Sequence, residues 1–145
     1  MKRIVSGLLA LCLLCALPVT AAARDSLTLT CQERGGDVRL TLEGLDRPVY
    51  ALQLELVLEG ECPDARFDPS PRGVYSPDCH VEADRDETVV TIYLVAEEDP
   101  LSGRSVDLGT LIPGSTCRLP GRAELLLLDR SLQPIFEGRI SLEEG

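Results

Sequence analysis

Four of the six cysteines, one histidine and two runs of carboxylates are the residues of this 145-residue chain with chemistry to offer. Cys31, Cys62, Cys79 and Cys117 are spread along the body of the sequence and lack the paired Cys-x₂-Cys knuckles of a tetrathiolate zinc site. Even in number and widely spaced, they read as two disulfides, which form in an oxidising compartment. Four cysteines admit three connectivities, and spacing alone does not choose. The favoured pairing joins Cys62 to Cys79 across a proline-rich stretch and leaves Cys31 for Cys117 by elimination. His80 stands next to Cys79, whose thiol is expected to be oxidised, and no Gly-x-Ser-x-Gly elbow occurs. A hydrolase needs a nucleophile, a base and an orienting group, and the sequence does not supply that set. Paired carboxylates serve glycosidases, but three Tyr, two Phe and no Trp are a thin supply of rings for a sugar cleft. The chain is read as non-enzymatic, with no catalytic residues.

The acidic runs Asp84-Arg85-Asp86-Glu87 and Glu97-Glu98-Asp99 have oxygens of the kind that bind Ca²⁺. Neither follows the spaced D-x-D-x-D-G pattern of a calcium loop, so both read as solvated turns. No metal ligand and no cofactor are assigned, with Ca²⁺ the one ion kept as an alternative.

These residues are placed outside the cytosol by the start of the chain. Lys2 and Arg3 precede an apolar run from Ile4 to Leu17, and Pro18-Val19-Thr20 leads into Ala21-Ala22-Ala23. That is the pattern of a cleaved export signal over residues 1–23. The run falls short of the roughly 20 apolar residues of a membrane span, so the processed protein is not expected to be integral to a membrane. Leu11 and Leu14 precede Cys12 and Cys15, whereas a lipidated bacterial cysteine follows a small residue. The expectation is a secreted, extracellular protein whose residues 24–145 form one domain. Without Lys2 and Arg3 it carries 12 basic residues against 24 acidic ones, a net charge of −12. Nucleic acid is a poor partner for such a surface, because phosphate binding needs clustered positive charge.

Period-2 alternation dominates from residue 26 onward. Residues 26–31 and 37–43 alternate around Gly35-Gly36, and residues 50–59 place Tyr50, Leu52, Leu54, Leu56 and Leu58 on one face. Residues 60–79, with four prolines, read as a long loop that is either stapled or used for recognition. Residues 80–83, 88–96, 106–112, 123–128 and 136–142 supply further strands, the β-branched run 88–96 being central. Residues 123–130 contain good helix formers, but the run is short and without helical period, so a buried strand is read there. The fold class is all-β: an eight- or nine-stranded antiparallel β-sandwich with an aliphatic core.

Strand alternation then yields a candidate site. With Val90, Ile92, Leu94 and Ala96 inward, Val89, Thr91, Tyr93 and Val95 face outward beside Ala51, Gln53, Glu55 and Val57. A flat, partly apolar outer sheet of this kind marks a protein partner or self-association. Gln53, Glu55, Thr91, Tyr93 and Val95 are the candidate partner-binding residues.

The order of strands and loops resembles the cohesin family, the dockerin-binding modules of bacterial extracellular scaffoldins. The likeness lies in the long third strand Tyr50–Glu59, in Thr91-Ile92-Tyr93-Leu94-Val95-Ala96-Glu97-Glu98-Asp99 followed by Ser102-Gly103, and in Leu108-Gly109-Thr110-Leu111-Ile112. Ala123 to Ile135 resembles the family's strand-plus-hairpin close. Val57-Leu58-Glu59-Gly60-Glu61-Cys62 stands where cohesins carry a Tyr-Asp-Pro type turn. The resemblance implies a nine-stranded jelly-roll sandwich and a protein partner of dockerin type, docked on the sheet that carries Tyr93 and Gln53. Carbohydrate-binding modules share that sandwich, so carbohydrate is the alternative ligand. A small secreted inhibitor using residues 63–78 is a third reading.

Overall fold

The computed structural model describes residues 27–114 and 117–145. The expected signal at 1–23, with Cys12 and Cys15, lies outside the described residues. No helix among those residues is long and apolar enough to cross a membrane.

Ten strands follow in chain order: β1 (Thr28–Arg34), β2 (Asp37–Glu43), β3 (Ala51–Glu59), β4 (Arg66–Pro69), β5 (Val74–Tyr75), β6 (His80–Ala83), β7 (Glu87–Ala96), β8 (Ser105–Ile112), β9 (Arg118–Leu128) and β10 (Pro134–Glu144). They make the two layers of a sandwich. One sheet runs β4-β8-β2-β1, the other β9-β3-β7, with β5 and β6 on the outer side of β7. β10 belongs to both. Pro134 to Ile140 pairs antiparallel with β9, and from Ser141 onward the strand pairs with β1. That second pairing is parallel, a departure from the all-antiparallel expectation, and it arises because one long strand passes from sheet to sheet.

The larger departure is in residues 60–79, read from the sequence as a loop. Two pieces of it are strands: β4 extends the first sheet along β8, and β5 lies along the end of β7. Pro69 is tolerated in β4 because that strand is an edge, where an N–H need not join a ladder. Gly109 makes room for β4. Its φ is +141°, and a side chain there would come within 2.7 Å of the Phe67 ring.

Between the sheets lies the aliphatic core, with Leu29, Leu40 and Leu42 facing Leu54, Leu56, Ile92, Leu94 and Leu125. The leucine-rich run of β9 is a strand, its even-numbered and odd-numbered side chains divided between the two faces of the sheet. Among the described residues Thr88 is the one fully buried polar side chain, and its hydroxyl is satisfied twice. It accepts the Cys62 N–H at 2.8 Å and donates to Gly60 O at 2.7 Å. This fixes the corner where the chain leaves β3.

At that corner the expected cysteine pairing is corrected. Cys62 is bridged to Cys117, not to Cys79, and Cys31 and Cys79 are thiols. Register explains the choice: β3 and β9 are neighbours with Glu59 opposite Arg118, which brings the residues just beyond each strand end to a Cα separation of 6.2 Å. Cys79 leads into β6, four residues further along β7, where His80 pairs with Thr91. Its Sγ lies 4.0 Å from Ala65 O. The Cys31 thiol is in the core, where desolvation, with the Glu144 charge second, pushes its pKa up to about 11.

Candidate functional site

The outer face of the β9-β3-β7 sheet collects all five of the proposed partner-binding residues. Residues directly opposite one another in register share a face of the sheet. Tyr93 lies opposite Gln53, which lies opposite Leu126; Thr91 lies opposite Glu55, which lies opposite Glu124. The next row along carries Tyr75, Val95, Ala51 and Leu128, with Pro134 at its end.

Within this face there is a division by polarity. The end nearest Ala96 and Leu128 is apolar: Tyr75, Tyr93 and Val95 are 58%, 37% and 41% exposed, beside the half-buried Leu126 and Leu128. The other end is charged. Arg122 meets Glu87 at 3.3 Å, Arg139 approaches Glu124 at 3.8 Å, and Arg118 approaches Glu59 at 3.9 Å. Six carboxylates (Glu55, Glu59, Glu82, Glu87, Glu124 and Glu137) share the face with three guanidinium groups, so its field is negative. Where the two halves meet, a shallow depression of about 290 Å³ is rimmed by Gln53, Glu55, Glu124, Leu126 and Glu137.

Two residues read as outward are covered. Thr91 is only 8% exposed, because β6 packs along β7 and sets His80 on one side of it while Glu55 stands on the other. Ala51 is buried between Val95 and Leu128, both larger than it. Conversely, Tyr75, Leu126 and Leu128 belong to the face and were not found from the sequence. Tyr75 sits in the proline-rich segment read as loop. Leu126 and Leu128 belong to a four-leucine run that hides which members face out, although strand alternation from Ala123 separates them.

The residues that suggested other chemistry do not converge. His80 points outward and its Nε2 meets Glu82 Oε1 at 3.1 Å, while Cys79 packs against the core, where burial raises its thiol pKa. The run Asp84–Glu87 closes as a turn: the Asp84 N–H donates to Glu87 O, and Asp84 Oδ1 accepts the Arg85 N–H, each at 2.8 Å. Among the described residues no three His, Cys, Asp or Glu side chains come together as a metal-holding group.

The fold and this face define an all-β sandwich with one partly apolar, acid-rimmed sheet surface. No protein-family model matches the chain, and no curated protein matches it. Among solved structures, it is similar to a chain in the crystal structure, at pH 5.5, of a complex between CaCohA2 and a single-residue variant of CaDoc0917. Identity is 16% and the TM-score 0.41, with 80% of this chain and 99% of that one covered. A likeness at that identity and TM-score assigns this chain neither ligand nor partner.

Proposed function

We propose that the domain is a non-enzymatic binding module, exported through residues 1–23, and that it docks a protein partner on the outer face of the β9-β3-β7 sheet. The observation that carries this reading is the grouping of exposed apolar side chains. Of the four large apolar residues left exposed among the described residues, Tyr75, Tyr93 and Val95 lie in two adjacent rows of that face. Exposed apolar side chains beside a charged border supply the core and part of the polar rim of an interface. The dockerin-type partner implied by the cohesin resemblance fits a flat sheet of this kind. The Cys62–Cys117 bridge agrees with an oxidising compartment.

Tyr75 and Tyr93 on one face also give the carbohydrate alternative its only footing, since sugars stack on exposed rings. The inhibitor reading has less support, because six of the sixteen residues 63–78 are paired into the two sheets as β4 and β5. The test is a pull-down from the extracellular fraction of the source cells with residues 24–145 as bait. A polypeptide retained by the native bait and lost on Tyr93→Asp supports the proposal. Retention unaffected by Tyr93→Asp refutes it, and glycan-array binding abolished by Tyr75→Ala or Tyr93→Ala establishes the carbohydrate reading instead.

A further inference from the structure

The fourth exposed apolar residue, Leu132, lies off the sheet, and its backbone is the more unusual observation. Its φ is +60°, and among the described residues it is the sole non-glycine with a positive φ. That conformation is ordinarily given to Gly or Asn, because a larger side chain crowds its own carbonyl. The turn that imposes it is tightly tied. Asp129 Oδ1 accepts the N–H groups of Ser131 at 2.8 Å and Gln133 at 2.9 Å, the Asp129 N–H donates to Gln133 O, and the Leu132 N–H donates to Asp129 O at 3.0 Å. Beside it Arg130 lies over the Tyr50 ring, 6.0 Å from its centroid. Residues held in sparsely populated backbone conformations persist only where the surrounding structure imposes them, and they cluster at binding and clamp sites. At 64% exposure, that side chain is not being used to fill the core.

Its turn adjoins the proposed docking face. The turn joins Leu128 to Pro134, which are opposite each other in the last apolar row of the outer face, so Leu132 stands just past the β9–β10 end of the row that continues through Ala51 and Val95 to Tyr75. We infer that Leu132 is an anchor of the docking surface, a fixed apolar knob that enters a pocket in the same partner that covers Tyr93 and Val95. The inference rests on the docking face proposed above and names the partner's chemistry. The partner is a folded protein with an apolar pocket for one leucine-sized side chain, beside a basic surface that complements Glu55, Glu124 and Glu137. A rigid tip loses little freedom on binding, which is why a strained turn serves better here than a mobile loop.

The experiment compares Leu132→Asn, which relieves the backbone, with Leu132→Ala, which keeps the strain and removes the knob. The probe is the polypeptide retained by native bait and lost on Tyr93→Asp, purified and titrated by calorimetry. Leu132→Asn should raise the Tm by about 2–4 °C and weaken binding about tenfold or more. Leu132→Ala should weaken binding similarly with the Tm within about 1 °C of native. Unchanged affinity in both variants overturns the anchor while leaving the Tyr93 face standing. A fall in Tm for Leu132→Asn shows a packing role and likewise overturns it. If no Tyr93-sensitive polypeptide is retained, the docking face itself fails, and the anchor with it.

Discussion

Replacing Thr88 by Val tests whether the corner beneath β3 is held by hydrogen bonds or by shape. The two side chains differ by a hydroxyl for a methyl, so the core stays filled and the change falls on two backbone groups. The Cys62 N–H loses its acceptor at a buried site, and Gly60 O loses its donor at a partly buried one. Leaving a buried polar group unsatisfied costs about 1–3 kcal/mol. The partly buried carbonyl belongs at the low end of that range, giving about 3 kcal/mol for the pair. The extra buried methyl returns less than about 1 kcal/mol. A net loss of about 2–3 kcal/mol is a large part of a small domain's stability. In a domain of this size it corresponds to a Tm lower by roughly 10 °C. Thr88→Ser keeps both hydrogen bonds and loses one methyl, at a cost of about 1 kcal/mol. The assay is urea unfolding of the oxidised domain followed by circular dichroism, comparing midpoints at constant m. The order expected is native, then Ser, then Val. A Val variant as stable as the Ser variant would refute the reasoning and show that water or a backbone shift satisfies Cys62 and Gly60.

The remaining predictions concern the cysteines. Cys117→Ser opens a bridge spanning 55 residues of sequence and should cost about 4 kcal/mol on the chain-entropy estimate, whereas Cys79→Ser should cost about 1 kcal/mol or less. Peptide mapping of the unreduced protein should recover Cys62 linked to Cys117; a Cys62–Cys79 peptide would show the register argument to be wrong. The Cys31 pKa of about 11 in the folded chain exceeds the value of 9.0 for an unperturbed thiol. The folded state therefore keeps this proton where the unfolded chain has lost it, so stability is full below pH 9 and declines as pH rises towards 11. Cys31→Val should flatten that decline relative to the native protein in chemical unfolding at pH 7, 9 and 10.5. Equal slopes for the two proteins would show that Cys31 is not the group responsible.

Much of the sandwich was legible because strand faces are written in a period of two. Leu52, Leu54, Leu56 and Leu58 were placed inward from their spacing alone, and all four are buried. Gln53, Glu55, Tyr93 and Val95 followed by the same rule onto the opposite face. The rule sorts faces but is blind to neighbours. It made Thr91 an exposed contact, and β6 covers it; it made residues 60–79 a loop, and β8 and β7 turn two pieces of that loop into edge strands. Tyr75 was lost to the site for the same reason, since a two-residue strand has too little alternation to be recognised.

By itself, the sequence determined the class of fold, the aliphatic core and the identity of one exposed sheet face. Each follows from local properties: residue type, alternation and turn residues act within a few positions along the chain. Tertiary structure alone decided that β3 lies between β7 and β9, and with that it chose Cys117 as the partner of Cys62, brought Leu126 and Leu128 beside Tyr93, and set Leu132 past the last row of the face. Strand order is a long-range choice, fixed by which apolar faces pack together across the core, and spacing along the chain carries no record of it.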